Sequence, residues 1–182
     1  RLGLLTPVLG SAAENKIAVV FDWENRWDLR DAQFGLNRGD KVTIGKPLTI
    51  QADPVGASLL GAFDVRASGS TVDGFTVTHG GGMSYAFRVE GQDITISDNV
   101  IDANGVDGFR VRDAWAPVAG GGSATITGNT ITGAAVAIGV DGDGRQHEYE
   151  VVTHLTVTGN TIAENGTGIY YAASAESTMT VT

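Results

Sequence analysis

From residue 70 onward, apolar and polar positions alternate in short runs closed by Gly, Asn or Asp. A period of two is the mark of a strand with one buried face, and Gly, Asn and Asp supply the sharp turns between such strands. The runs come in threes, and the threes repeat. The segments "STVDGFTVTHGGGMSYAFRVEG" from Ser70, "DITISDNVIDANGVDGFRVRD" from Asp93, "SATITGNTITGAAVAIGVDG" from Ser123 and "HLTVTGNTIAENGTGIYYAA" from His154 align with one another. The first run places Val72, Ile96, Ile126 and Val157 inward, and the second Val77, Ile101, Ile131 and Ile162. The third places Phe87 with Val89, Phe109 with Val111, Ile138 with Val140, and Ile169 with Tyr171.

Three strands per repeat with no helix between repeats predict an all-β coil that climbs and stacks on itself, a parallel β-helix solenoid. Each strand then pairs with its counterpart one coil away, at about 4.8 Å. Like side chains form ladders. Asn99, Asn129 and Asn160 fall on one ladder at the turn after the first strand, where stacked amides can satisfy turn backbone. Phe75 holds that place in the preceding copy, so the ladder is expected to start at the second coil. A β-sandwich also uses short alternating strands, but it does not require a strand–Gly–Asn–strand phrase at matched positions. "TMTVT" (178 to 182) opens a fifth copy, from which the natural protein is expected to continue past Thr182.

This pattern, over 41–182, resembles the right-handed parallel β-helix repeat family, whose members include pectate lyases, polygalacturonases and related sugar-processing proteins. The resemblance implies right-handed winding and a carbohydrate-related role. The region before it reads differently. Trp23, Trp27 and Phe34 share one face of a helix capped by Asp22 and stopped near Gly35 or Asn37, suited to covering the open end of a solenoid. Lys41 to Thr43 and Leu48 to Ile50 are expected as strands of the first coil, which divides the chain into a strand-and-cap segment, 1–40, and the solenoid, 41–182. "RLGLLTPVLGSAAENKIAVVFDWENRWDL" (1 to 29) is also similar to the start of the trimerisation domain of bacterial β-galactosidases. The catalytic barrel of those enzymes has no counterpart here, so no catalytic role carries over.

Composition narrows the partners. A net charge of −9 and a pI near 4.6 repel phosphate backbones, which argues against nucleic acid. The apolar runs are far shorter than the ~20 residues that span a bilayer, which argues against membrane insertion. The chain has no cysteine, so disulfides, zinc–thiolate sites and thiol nucleophiles are ruled out. It opens at Arg1 with no visible signal peptide, as a mature or excised fragment would. The expected location is secreted or cell surface, with the cytoplasm left open, and the oligomeric state is not legible.

Coil lengths point to where chemistry could sit. Ile96 to Ile126 spans 30 positions and Ile126 to Val157 spans 31, whereas Val72 to Ile96 and Val157 to Val181 span 24. The surplus follows the third strand in two successive coils, as "DAWAPVAGGG" (113 to 122) and "DGDGRQHEYEVV" (141 to 152). Loops emerging side by side would wall a groove. Trp115, Tyr149 and Tyr170 offer flat faces for sugar rings, and His147 offers hydrogen bonding. Stacking the third strands places Arg88, Arg110, Gly139 and Tyr170 in one outward column and Glu90, Arg112, Asp141 and Ala172 in the next. Glu90 and Asp141 are then two coils apart, about 9 to 10 Å between backbones, close to the separation of an acid–base pair in an inverting glycosidase. Arg112 between them would depress both carboxyl groups. Asp113 is a second candidate acid. The candidate catalytic residues are therefore Glu90, Asp113 and Asp141. The candidate substrate contacts are Arg88, Arg110, Arg112, Trp115, His147, Tyr149 and Tyr170.

The competing reading of that column is a salt-bridge ladder that keeps like charges apart. "DGDG" (141 to 144) lacks the spacing of an EF-hand, so no metal site is assigned and only a looser Ca²⁺ site stays open. No G-x-S-x-G occurs. The resulting expectation is a carbohydrate-active protein that binds and cleaves a poly- or oligosaccharide, as a glycosidase or a lyase. The alternatives are a non-catalytic surface or adhesin-like module, or an inactive fragment of a β-galactosidase-like gene.

Overall fold

The structure, a computed structural model, describes residues 41–52, 55–112, 122–141, 153–172 and 177–182. Among these residues every element is a strand, and every pairing between strands is parallel. Numbered in chain order, the seventeen strands take turns among three sheets. The first sheet holds β1 (Lys41–Ile44), β4 (Ala62–Val65), β7 (Tyr85–Glu90), β10 (Asp107–Arg112), β13 (Val136–Asp141) and β16 (Thr167–Ala172). The second holds β2 (Thr49–Gln51), β5 (Thr71–Asp73), β8 (Ile94–Ser97), β11 (Gly122–Thr127), β14 (Thr153–Thr158) and β17 (Thr178–Val181). The third holds β3 (Ser58–Leu60), β6 (Thr76–Thr78), β9 (Val100–Asp102), β12 (Thr130–Thr132) and β15 (Thr161–Ile162). Each strand pairs with the strand three places on, so the chain is a parallel β-helix with the right-handed winding that parallel crossovers adopt.

The register follows the repeated phrase. Val72, Ile96, Ile126 and Val157 pair in sequence, as do Val77, Ile101, Ile131 and Ile162, and Phe87, Phe109, Ile138 and Ile169. These side chains form one continuous core along the axis. Phe63 extends the last ladder by a coil. Its ring stacks on Phe87 at 5.1 Å and Phe87 stacks on Phe109 at 5.0 Å, while Phe75 meets Phe63 edge-on at 5.5 Å. Offset aromatic pairs of this kind add to the burial of the rings themselves.

The Gly–Asn phrase has a local cause. Gly74, Asp98, Gly128 and Gly159 all sit at positive φ, between 52° and 77°, immediately before the ladder residues Phe75, Asn99, Asn129 and Asn160. The chain turns its corner there in a left-handed conformation that glycine adopts freely and aspartate tolerates. The next residue then aims its amide along the axis. Asn99 Oδ1 accepts from the Phe75 amide at 2.9 Å, Asn129 Oδ1 from the Asn99 amide at 3.0 Å, and Asn160 Oδ1 from the Asn129 amide at 2.9 Å. Asn99 and Asn129 are buried, and each Nδ2 donates to carbonyls of its own and the preceding coil.

Strands β3 and β4 complete a coil that the sequence repeats did not reveal. Its alternating stretch, "AFDVR" (62 to 66), lacks the Gly–Asn corner used to align the others. The helix expected over 22–35 lies outside the described residues.

Candidate functional site

The outer face of the first sheet carries an unusual density of charge. Lys41 Nζ and Arg66 Nη2 reach Asp64 Oδ2 at 3.0 and 2.7 Å, and Arg66 Nε donates to Oδ1 at 3.0 Å. Asp64 is fully buried beneath them. Burial on its own would raise its pKa; the hydrogen bonds and charges of Arg66 and Lys41 outweigh that and hold the carboxyl below its ordinary value. The network continues into the next coil. Arg66 Nε stands 3.9 Å from Glu90 Oε2, and Arg88 donates from Nε and Nη2 to Glu90 Oε1. Burial disfavours the Arg88 charge, but the bond and charge of Glu90 prevail and raise its pKa, as Asp64 does for Arg66.

This geometry corrects two expectations. Glu90 keeps the outward register, paired with Arg112, but it is 4% exposed rather than presented to solvent. Its partners are Arg88 on its own strand and Arg66 of the preceding coil, not Arg112. A side chain two residues along the same strand face reaches it as readily as one across the ladder. The Glu90–Arg112 half of the expected ladder is therefore not formed, and the side chain of Asp141, its other half, lies outside the described residues. Arg112 is part-exposed, and its Nε is buried with no hydrogen-bond partner. The backbone of Asp141 ends β13, one coil beyond Arg112. Asp113, Trp115, His147 and Tyr149 lie outside the described residues, as do most of the two long loops.

The structure does bring Arg110 and Tyr170 together. Arg110, Gly139 and Tyr170 are successive rungs of one column. Glycine at the middle rung leaves a gap of two strand spacings, about 9.6 Å, between the flanking side chains. This gap is a depression of about 260 Å³ lined by Asp107, Arg110, Val136, Gly139 and Tyr170. Arg110 Nε donates to Asp107 Oδ2 at 2.9 Å and Nη1 to Ser84 Oγ at 2.9 Å, which fixes the guanidinium as one wall. Tyr170, 53% exposed, is the other. Asp107 was not foreseen. It opens β10, before the alternating stretch that carried the repeat alignment, and the one available signal was its i,i+3 spacing to Arg110. A Cβ at Gly139 would meet the Phe109 carbonyl and Val136 Cγ1 at an ordinary 3.6 Å, so glycine is not demanded by the backbone there.

With this geometry in hand, one family model matches the chain, described as "Periplasmic copper-binding protein (NosD)", over residues 36–181. The chain belongs to the NosD family. No pectate-lyase or β-galactosidase family model matches the chain. The NosD description places the family in the periplasm, in line with a secreted or cell-surface protein. No curated protein and no solved structure matches the chain.

The copper in the NosD description can be tested against the donors present. The chain has no cysteine. Copper otherwise calls for clustered imidazole or thioether ligands. Among the described residues no three His, Asp or Glu side chains converge. His79 is buried just after β6, whereas His154 lies on β14 and its Nδ1 bonds Thr178 Oγ1. Met83 precedes β7 and Met179 lies on β17, at the far end of the described coil stack. Among the described residues these donors do not assemble a copper centre. The aspartates considered for Ca²⁺, apart from the backbone of Asp141, lie outside the described residues.

Proposed function

We propose that the chain is a non-catalytic β-helix module of the periplasm or cell surface that binds a glycan at the Arg110–Gly139–Tyr170 depression. The gap at Gly139 carries this reading. It presents an exposed aromatic face, a fixed guanidinium and a carboxylate around a space smaller than the ~300 Å³ from which drug-sized sites start, suited to one sugar ring. Tyrosine offers the ring an apolar face, and the Asp107–Arg110 pair offers its hydroxyls both an acceptor and donors. Against cleavage stands the state of Glu90: a general acid or base has to reach the reacting oxygen, and this carboxylate is buried and held by two guanidinium groups.

The test is binding to a glycan array, followed by assays for new reducing ends and for ultraviolet-absorbing unsaturated ends. Binding without either product is expected. Gly139→Leu, which fills the gap without backbone strain, and Tyr170→Ala should each remove binding while leaving the melting temperature within a few degrees. A new reducing end, or an unsaturated product, would replace this reading with hydrolysis or elimination.

A further inference from the structure

The outer face of the second sheet is built differently from that of the first. Each of its six strands turns a threonine outward at the same level: Thr49, Thr71, Thr95, Thr125, Thr156 and Thr180. The register pairs them rung to rung. The residues after them, Ile50, Val72, Ile96, Ile126 and Val157, turn into the core. All six threonines are part-exposed or exposed. No charge interrupts the column, whereas the third sheet breaks its own threonine column with Val100. Among the described residues none of the six hydroxyls is taken up by a hydrogen bond. The side-chain bonds on this face belong to adjacent columns, as in Gln51 to Asp73 at 2.9 Å and Thr182 to Thr158 at 2.8 Å.

We infer that the outer face of the second sheet binds ice through this threonine column and the hydroxyls beside it. The case is a match of repeats, of charge and of side-chain chemistry. Rungs lie about 4.8 Å apart, so six span about 24 Å, and the next outward column lies about 6.6 Å along the strands. Thr127 and Thr158 carry the grid into that column beside Thr125 and Thr156. In ice, oxygens bonded at about 2.75 Å with tetrahedral angles repeat at about 4.5 Å in one direction and about 7.3 Å across it. Side-chain ladders such as those of the core keep stacked strands flat enough to hold a grid in one plane. The branched Cβ of threonine restricts χ1, so hydroxyl and methyl recur in one order along the column and little freedom is lost on contact. Each hydroxyl supplies a donor and two acceptors to lattice water. Ice is neutral, and the column is an uncharged strip on a chain of net charge −9. Asp73, in the adjacent column, is already held by Gln51 and Ser97. This face shares no residue with the depression at Gly139, so the inference stands or falls apart from the glycan reading.

The experiment grows ice slowly through a dilute solution of the chain and measures the protein taken into the crystal, with the gap between freezing and melting points as a second readout. Wild type should enter the ice and open that gap, whereas an acidic protein of equal size without such a face is excluded. Thr125→Tyr, at the middle of the column, should reduce both readouts to the level of that protein. Thr156→Tyr, on a more exposed rung, repeats the test independently of how Thr125→Tyr folds. Thr130→Tyr on the third sheet and Gly139→Leu on the first should leave both readouts as in wild type. Exclusion of wild type from ice, or uptake of folded Thr125→Tyr and Thr156→Tyr equal to wild type, overturns the inference. A wild type excluded from ice that self-associates in sedimentation, with association lost in Thr125→Tyr, replaces ice with a second copy of the chain.

Discussion

Asn129 is the centre of the polar ladder, and its removal has a calculable effect. Its Oδ1 accepts from the Asn99 amide and from Asn99 Nδ2, both at 3.0 Å. Its Nδ2 donates to the carbonyls of Ile96 and Thr127 and to Asn160 Oδ1, each at 3.0 Å. The residue is completely buried, so water cannot replace these bonds without opening the coil. Asn129→Ala strands the Asn99 amide and weakens the satisfaction of two carbonyls. An unsatisfied buried group costs about 1–3 kcal/mol, so a loss of about 3–4 kcal/mol is expected, at the high end for a single substitution. Equilibrium urea unfolding measures it, with exposed Thr156→Ala as the control expected within about 0.5 kcal/mol. Hydrogen exchange adds an atomic readout, because protection of the Asn99 amide should fall selectively. A loss below about 1 kcal/mol, or an Asn99 amide as protected as before, would show that the stacked amides are ornament and that the apolar ladders alone set the register.

Gly128→Ala should cost at least about 1–2 kcal/mol, since it puts a side chain at φ 66° with its Cβ 2.1 Å from Asp98 Oδ1. In an Asp98→Gly background the same substitution should cost less, as a double-mutant cycle would reveal. Glu90→Gln should destabilise by about 2–4 kcal/mol in thermal or urea unfolding, because it leaves Arg88 mostly buried and unmatched, and it should leave glycan binding at Gly139 intact. The depressed pKa of Asp64 makes stability pH-dependent with a definite sign. The folded state binds that proton less readily than the unfolded chain, so the contribution is full above the unfolded value of about 3.9 and drains away as pH falls through the folded pKa. Asp64→Asn should flatten the acid limb of the stability curve below about pH 4, and an unchanged limb would assign acid unfolding to other carboxylates.

The solenoid and its registers were legible because they depend on backbone rules alone. Alternation names the buried face, and the Gly–Asn corner marks where each coil must turn, so Val72, Ile96, Ile126 and Val157 could be stacked from their spacing. The coil containing Phe63 and Val65 escaped because it keeps the alternation without the corner. The charged face was only half legible for a related reason. Register fixes which Cα atoms are neighbours, but long side chains choose partners by reach. Glu90 therefore pairs with Arg88 and Arg66, although Arg112 is its rung-mate. Gly139 stood in the right column from the start. That it opens a gap follows only once Arg110 is seen pinned to Asp107 and Ser84, leaving the space beside it empty.

The spacing of 24 positions from Val72 to Ile96 recurs between Val157 and Val181. A gene that duplicated or excised such a unit would hand the cell a longer or shorter rod with every hydrogen-bonded rung still matched. Changes in length of this kind bypass the cooperative penalty that a globular core imposes on insertions, because each winding touches only its immediate neighbours. Selection can thus lengthen or shorten the stack without redesigning the outer face of its first sheet.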